Sequence, residues 1–148
     1  MRGFVVFFFT ILGIFIVDQN IKSLFVDGYY HSWKCIDLEL HYNKGVAFSM
    51  LTFLGSYLKW LQALLVLLLL FIIFKEGYLK RYAFPAGLLM GGALGNVYDR
   101  FVREGVVDYV AWHCGFNFAV FNFADVAIDL ALVIIVVMVY FSPDKSRD

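Results

Sequence analysis

Residues 121–141 read FNFADVAIDLALVIIVVMVYF, and this stretch decides how the chain is organised. From Val126 onward it is apolar apart from Asp129, and as a helix it is long enough to cross about 30 Å of hydrocarbon. Asn122 and Asp125 stand three positions apart at its start, so that their side chains share one helix face. An ionisable residue at membrane depth is energetically expensive and therefore indicates a functional site.

The composition indicates that lipid, rather than water, surrounds most of the chain. Of the 148 residues, 62% are hydrophobic and 16% are charged, whereas a soluble domain is about half apolar and about a quarter charged. The length corresponds to a single domain, 1–148, and the formal net charge is zero. Because nucleic-acid binding depends on a basic surface, we expect no nucleic-acid partner. The sequence predicts an all-α polytopic membrane protein.

Apolar runs predict four transmembrane helices. The first run follows Arg2 and continues, without a signal-peptide cleavage site, into Asp18 and Lys22, which have the spacing of an acid-first i,i+4 pair. The third run is rich in glycine and alanine, which let helices approach closely in lipid. We expect helix 2 and the inner halves of all the helices to lack polar residues. The predicted helices cover residues 3–26, 57–74, 82–98 and 122–141.

Residues 30–50 predict a small extracytoplasmic β segment. Apolar and polar residues alternate over 36–42, which is typical of a half-buried strand. A turn over 43–45 is predicted to lead into a second arm at 46–48. A hairpin of this size is too short to fold alone, and we expect it to rest on the membrane surface or on the helix ends. Residues 99–121 are predicted to form a second outer loop.

The distribution of basic residues sets the predicted orientation. In the two loops opposite the termini, basic residues are offset by acidic ones. We therefore predict that both termini are cytoplasmic and that the β segment lies outside, where a disulfide between Cys35 and Cys114 is possible. The basic residues on the predicted cytoplasmic side are Arg2, Lys75, Lys80, Arg81, Lys145 and Arg147.

Three helices bring polar residues to about the same depth. With a rise of about 1.5 Å per residue, Asp18 lies roughly 24 Å from the inner end of its helix, Asn96 roughly 22 Å and Asp125 roughly 27 Å. Asp108 follows in the outer loop just above this level. This convergence predicts one site near the outer interface. The alternative for Asp18 and Lys22 is that they are interfacial and reach water.

Asp108 and Asp125 indicate aspartyl chemistry. Two carboxyl groups held close together share a proton and titrate as a unit. The ionised member can take a proton from water, and the protonated member can donate to a carbonyl oxygen or a leaving amine. This chemistry needs no cofactor, and no metal site is predicted. The alternatives are a small proton- or cation-handling transport subunit that uses Asp18, Asp99 and Asp125, and a non-catalytic membrane scaffold.

Five motifs, in this order, resemble those of the bacterial lipoprotein signal peptidase (signal peptidase II) family. They are DQNIK at 18–22, NKGVAF at 43–48, GGALGNVYDR at 91–100, VVD at 106–108 and FNFAD at 121–125, so the resemblance spans the whole chain. It implies a four-helix aspartyl endopeptidase of the bacterial inner membrane. Such an enzyme removes the signal peptide from diacylglyceryl-modified prolipoproteins by cutting before the lipidated cysteine.

The resemblance also implies roles for individual residues and partners for the protein. Asp108 and Asp125 match the catalytic pair. The implied partners are lipidated prolipoproteins, membrane lipids and cyclic peptide inhibitors of the globomycin type, and the implied state is a monomer. Positions that bind substrate or order the site are matched by Asn43, Gly45, Asn96, Arg100 and Asn122, and supporting positions are matched by Asp18, Lys22, Asp99 and Ala124.

Asp129 adds a third carboxylate near the predicted pair. It follows Asp125 by four residues and therefore lies one helical turn below it on the same face. Its carboxylate either raises the affinity of the pair for protons or forms an ion pair with Lys22 or Arg100. The sequence leaves these alternatives open.

Overall fold

Four helices and a three-stranded sheet make up the structure, a computed structural model that describes residues 1–45, 54–103 and 105–141. This mostly helical architecture with a small sheet agrees with the predicted fold class. The sheet packs against the end of the bundle, where Phe25, Val107, Tyr109 and Phe123 meet. The elements are α1 (Arg2–Val26), β1 (His31–Ser32), β2 (Ile36–Asn43), α2 (Tyr57–Lys75), α3 (Leu79–Val102), β3 (Val106–Trp112) and α4 (Phe123–Tyr140).

The outward faces of α1, α2 and α4 are apolar. By length and composition these three helices can each cross a membrane. Phe9, Leu64 and Val136, one on each helix, are 63%, 62% and 65% exposed. An apolar surface this extensive is unusual on a soluble monomer and indicates a protein embedded in a membrane. The remaining helix, α3, is more polar at its ends and largely buried.

The central helix, α3, packs against each of the other three helices. Its small residues make these contacts close, as the sequence predicted. A Cβ atom on Gly87 would lie 2.6 Å from Cβ of Thr10, and one on Gly92 would lie 2.5 Å from the carbonyl oxygen of Ala124. Glycine at these two positions therefore lets α1 and α4 approach the backbone of α3.

The predicted helix bounds agree with the structure within one residue, except for α3. The prediction of 82–98 for this helix is too short, because the helix begins at Leu79 and continues to Val102. The predicted start of this helix coincides with a kink. Tyr82 has non-helical angles (φ −110°, ψ 21°), and Pro85 follows within one turn. Proline removes a backbone donor and crowds the preceding turn, which bends a helix.

The sheet contains a strand that the sequence analysis missed. Residues 99–121 were predicted as a loop, but β3 within them pairs antiparallel with β2, in the order β1-β2-β3. Val106 lies opposite Asn43, which makes Asn43 and Asp108 diagonal neighbours across the two strands. The second hairpin arm predicted at 46–48 lies outside the described residues.

A disulfide ties the turn between β1 and β2 to the segment that follows β3. It joins Cys35 to Cys114, whose Cα atoms are 4.6 Å apart. Next to it, His113 Nε2 lies 3.3 Å from Asp37 Oδ2. The two loops that meet beside the sheet are therefore held together covalently, by the disulfide that the sequence analysis considered for these two cysteines.

Candidate active site

Asp108 and Asp125 line one cavity of about 280 Å³ where the sheet meets α4. Asp108 lies on β3 and is 3% exposed, whereas Asp125 lies in the first turn of α4. Asn122 contacts both carboxyl groups. Its Nδ2 donates to Asp108 Oδ1 at 2.7 Å, and its backbone N–H donates to Asp125 Oδ2 at 3.1 Å. The two carboxyl groups therefore share one cavity and one hydrogen-bonding neighbour.

The start of α4 is a capping box made by Asn122 and Asp125. Asn122 Oδ1 accepts the backbone N–H of Asp125 at 3.0 Å, and the Asp125 carboxylate accepts that of Asn122 in return. The pair that the sequence placed on one helix face therefore consists of the N-cap and the third helical residue. This arrangement fixes the Asp125 carboxyl group, and a negative charge is favourable at a helix N-terminus.

Asn96 connects Asp125 to α1. Its Nδ2 donates to Asp125 Oδ1 at 2.8 Å, and its Oδ1 accepts from Lys22 Nζ at 2.9 Å and from Asn122 Nδ2 at 3.2 Å. The lysine ammonium group can only donate hydrogen bonds. Lys22 therefore fixes the orientation of the Asn96 amide, with its NH₂ group directed at Asp125.

Lys22 is fully buried between two carboxylates. Its Nζ lies 2.8 Å from Asp18 Oδ2 and 2.7 Å from Asp99 Oδ2. Asp99 also pairs with Arg103, and Asp18 Oδ1 accepts the backbone N–H of Ala124 at 3.1 Å. Asp18 and Lys22 are both fully buried, so the alternative in which they reach water is wrong. Their charges are paired with each other, as buried charges have to be. These contacts join α1, α3 and α4 at one level.

Residues at the end of β2 close the cavity on the sheet side. Asn43 Nδ2 donates to Asp108 Oδ2 at 3.0 Å, and Asn43 Oδ1 accepts the backbone N–H of Gly45 at 3.0 Å. The Arg100 guanidinium group donates to the carbonyl oxygen of Gly45. The end of β2 is therefore fixed over the carboxyl pair by both β3 and α3.

Burial raises the pKa of Asp108 to about 6, and the charge of Asp125 acts in the same direction. Hydrogen bonds from Asn43 and Asn122 oppose the shift because they stabilise the ionised form. Burial also raises the pKa of Tyr109 to about 12, so that its hydroxyl stays neutral and accepts the backbone N–H of Phe123 at 3.0 Å. Sequence reasoning had not assigned Tyr109 to the site.

Asp129 lines the same cavity as Asp125, and its side chain is exposed there. In the described parts of the chain it forms no ion pair with Lys22, which the carboxylates of α1 and α3 already engage. It forms none there with Arg100 either, whose guanidinium group donates to Gly45. The alternative in which Asp129 pairs with Lys22 or Arg100 is therefore not observed among the described residues. Of the alternatives, an electrostatic effect on the carboxyl pair remains.

Gln62 is a cavity residue that the sequence analysis overlooked. It lies on α2, where no polar residue was expected, and its side chain lines the cavity beside Arg100 and Asp129. The expectation of a helix 2 without polar residues is wrong at this position. A single amide inside an otherwise aliphatic run was the available signal, because polar groups within a membrane helix tend to be functional.

Known proteins match this chain over almost its whole length. The family model for signal peptidase (SPase) II matches residues 10–141. The chain belongs to the signal peptidase II family. The lipoprotein signal peptidase of Sulfurovum sp. (strain NBC37-1) is 69% identical over 146 residues, covering 99% of this chain and 100% of that protein. That of Helicobacter pylori (strain P12) is 45% identical over 145 residues, covering 97% and 90%. The family resemblance found in the five motifs is confirmed.

Solved structures share the fold of this signal peptidase II family member. A bacterial membrane enzyme determined by the in meso method at 2.3 Å resolution matches with a TM-score of 0.79, over 96% of this chain and 92% of its own. A second, determined at 1.9 Å resolution, gives a TM-score of 0.75. Their sequences are 21% and 22% identical to this chain. The arrangement of helices and sheet is thus kept at low sequence identity.

Proposed function

We propose that this protein is an aspartyl endopeptidase that removes the signal peptide from diacylglyceryl-modified prolipoproteins by cutting before the lipidated cysteine. Membership of the signal peptidase II family supports the broader activity, signal-peptide cleavage from prolipoproteins, over a proton- or cation-handling transport subunit. One observation carries the aspartyl assignment. Asp108 and Asp125 line the same cavity and both hydrogen-bond to Asn122.

The carboxyl pair hydrolyses the peptide bond with one shared proton. The ionised carboxylate takes a proton from water, whose oxygen attacks the scissile carbonyl carbon while the protonated carboxyl donates to the carbonyl oxygen. In the resulting diol, the former base gives its proton to the leaving nitrogen and the former acid recovers a proton from a hydroxyl. The C–N bond breaks, which leaves a carboxyl group on the signal peptide and a free amine on the lipidated cysteine.

The surroundings of the pair suit a peptide that runs across it. A second cavity of about 360 Å³, bordered by His41 and Tyr42, adjoins the first at Asn43 and Asp108. A peptide therefore has room on both sides of the scissile bond. In this proposal Asn43, Gly45, Asn96, Arg100 and Asn122 bind substrate or order the site, while Asp18, Lys22, Asp99 and Ala124 support it.

The location follows from the substrate. Its acyl chains lie in the bilayer and its scissile bond lies near the interface, so that a site at the sheet end of the bundle reaches both. We place the protein in the bacterial inner membrane as a monomer with four transmembrane helices, α3 being the fourth. Both termini are cytoplasmic and the sheet lies outside. Lipids cover the outward apolar faces. Cyclic peptides of the globomycin type inhibit the enzyme by binding in the cavity and blocking the carboxyl pair.

The test compares Asp108→Asn and Asp125→Asn with the wild-type enzyme on a purified diacylglyceryl-modified prolipoprotein. Each change should lower kcat by at least about 10²-fold, because the amide can neither take nor give the required proton. Mass spectrometry of the products locates the cleaved bond. The control is Asp27→Asn, an exposed residue after the end of α1, which should retain full activity.

Two results would contradict the proposal. Full activity in either Asp108→Asn or Asp125→Asn would contradict the assignment of these two residues as the catalytic pair. A wild-type protein that leaves the lipidated substrate intact but carries protons or cations across vesicle membranes would support the transport alternative instead.

A further inference from the structure

Two buried polar atoms in the described residues have no hydrogen-bond partner, and their residues line the same cavity. They are Oε1 of Gln62 and Nε of Arg100. Buried polar atoms are rarely left unpaired in native proteins, and each exception requires an explanation. Here the explanation lies in the cavity itself, since both residues border the space that also contains Asp108 and Asp125.

The two atoms have complementary hydrogen-bonding character. The carbonyl oxygen of the Gln62 amide accepts a hydrogen bond, and the N–H at Nε of Arg100 donates one. A polypeptide backbone presents one N–H donor and one carbonyl acceptor per residue. The unpaired atoms therefore match an extended peptide backbone in the cavity.

The position of Gln62 indicates which part of a substrate it would contact. Gln62 lies on α2, and the same cavity is bordered by Ile128 and Asp129, one turn along α4 from the catalytic-site carboxylate of Asp125. These elements form the helical side of the cavity, whereas Asn43 and Asp108 border it from the sheet. The helical side faces the portions of a substrate that lie in the bilayer, which for a diacylglyceryl-modified prolipoprotein are the acyl chains and the signal peptide. Of these two, the signal peptide is the one with backbone N–H and carbonyl groups.

We propose that Gln62 is a substrate-positioning residue that binds the backbone of the signal peptide next to the scissile bond. Its Oε1 accepts a peptide N–H, and Nε of Arg100 donates to a peptide carbonyl. This inference rests on the proposed function, because it concerns the substrate of the same site. It adds α2 to α3, the start of α4 and the end of β2 as elements that hold the substrate.

The first test is Gln62→Met, which keeps the length of the side chain and removes its amide. Loss of one neutral hydrogen bond to bound substrate should raise KM about 3- to 15-fold and leave kcat nearly unchanged. The matched control is Leu65→Met, on the same helix and 53% exposed toward the lipid, which should change neither constant.

The second test identifies the substrate atom. In a series of lipidated substrates, each of the three peptide N–H groups before the scissile bond is replaced by an ester oxygen. One ester should raise KM of the wild-type enzyme by a similar factor, about 3- to 15-fold, and should have no further effect in Gln62→Met. The two losses would then be non-additive because they remove the same hydrogen bond.

A stability measurement separates substrate positioning from a structural role. Because Gln62 Oε1 has no partner among the residues that the structure describes, Gln62→Met should leave Tm unchanged or raise it. An unchanged KM in Gln62→Met, additive effects of ester and mutation, or a lowered Tm with a proportional loss of kcat on every substrate would each overturn the inference. A wild-type enzyme that fails to cleave the all-amide substrate would instead refute the proposed function on which it depends.

Discussion

Asn122 uses each of its polar groups to define the site. Its amide NH₂ donates to Asp108 and Asn96. Its side-chain oxygen accepts the backbone N–H of Asp125, and its own backbone N–H donates to the Asp125 carboxylate. A side chain with every group engaged has little freedom to rotate. The separation of the two carboxyl groups is therefore set by one residue and supported by its neighbours.

The buried carboxyl group of Asp108 should make the stability of the protein depend on pH. Its pKa of about 6 in the folded state exceeds the ordinary value of 3.8, so the folded state binds the proton more tightly than the unfolded state. The resulting stabilisation is fully present below about pH 4 and is lost as pH rises through about 6. A shift of this size corresponds to up to about 3 kcal/mol.

This dependence can be measured as Tm in detergent micelles between pH 4 and pH 7 for the wild type and Asp108→Asn. The wild type should lose stability relative to the Asn variant as pH rises, because only the wild type loses a proton at this position. Asp27→Asn, which changes an exposed carboxyl group, should follow the wild-type curve. Parallel curves for wild type and Asp108→Asn would show that the pKa of Asp108 is not raised.

At the scale of residues, the sequence predicted which polar groups meet but missed Gln62. Helices rise by a fixed distance per residue, so a count along the chain placed Asp18, Asn96 and Asp125 at one depth. The contacts among them and Lys22 bear this out. Gln62 was missed because α2 is apolar nearly all round, and the sequence of such a helix does not show which face packs against the other helices.

At the scale of elements, β3 shows what a local pattern cannot predict. Val106 to Tyr109 are all buried, so that the period of two expected for a half-buried strand is absent. Tyr109 stacks on Phe25 of α1 with ring centroids 4.2 Å apart, while Asp108 lines the cavity. Pairing with β2 joins residues 63 to 76 positions apart in the chain, and no short-range signal encodes it.

The close contact between α3 and α4 should be sensitive to a single methyl group. In Gly92→Ala the added Cβ would lie 2.5 Å from the carbonyl oxygen of Ala124 and 2.9 Å from Ile128 Cγ1. The helices must then separate, and overpacking of this kind costs about 1–3 kcal/mol. Asn96 lies one turn along α3 and hydrogen-bonds to Asp125, so that kcat should fall as well.

Gly13→Ala is the matched control, because an added Cβ there meets nothing within 4 Å and alanine favours a helix more than glycine. Thermal unfolding should show a lower Tm for Gly92→Ala and an unchanged or higher Tm for Gly13→Ala. Cleavage assays on the two purified variants should show the same order. Equal Tm values and equal rates would mean that the contact between α3 and α4 is not close.

At the scale of the whole molecule, polar and apolar residues are arranged differently from those of a soluble protein. Its buried interior holds a network of ions and amides around Lys22, while large apolar side chains cover the outward faces of α1, α2 and α4. In lipid the apolar faces need no cover, and the polar groups must satisfy one another. The site therefore forms where three helices meet beneath the sheet.

The orientation of this bundle in the membrane is the remaining prediction, and the turns of the chain allow a direct test. Four exposed glycines among the described residues have positive φ, and three of them mark turns suited to this test: Gly28 after α1, Gly77 between α2 and α3, and Gly115 before α4. Basic residues cluster at the end of the bundle that contains Gly77, which predicts that this end is cytoplasmic. If α3 spans the membrane, Gly77 and Gly115 lie on opposite sides.

The test fuses a reporter protein after each of these glycines in truncated chains. Alkaline phosphatase is active only outside the cytoplasm, and green fluorescent protein fluoresces only inside it. We expect phosphatase activity after Gly28 and Gly115 and fluorescence after Gly77, because each of the intervening segments crosses the bilayer once. A fusion after residue 148 should fluoresce, since α4 returns the chain to the cytoplasm. If the same reporter is active after both Gly77 and Gly115, α3 does not cross the membrane. If the pattern is reversed at every position, the orientation is opposite to the one proposed.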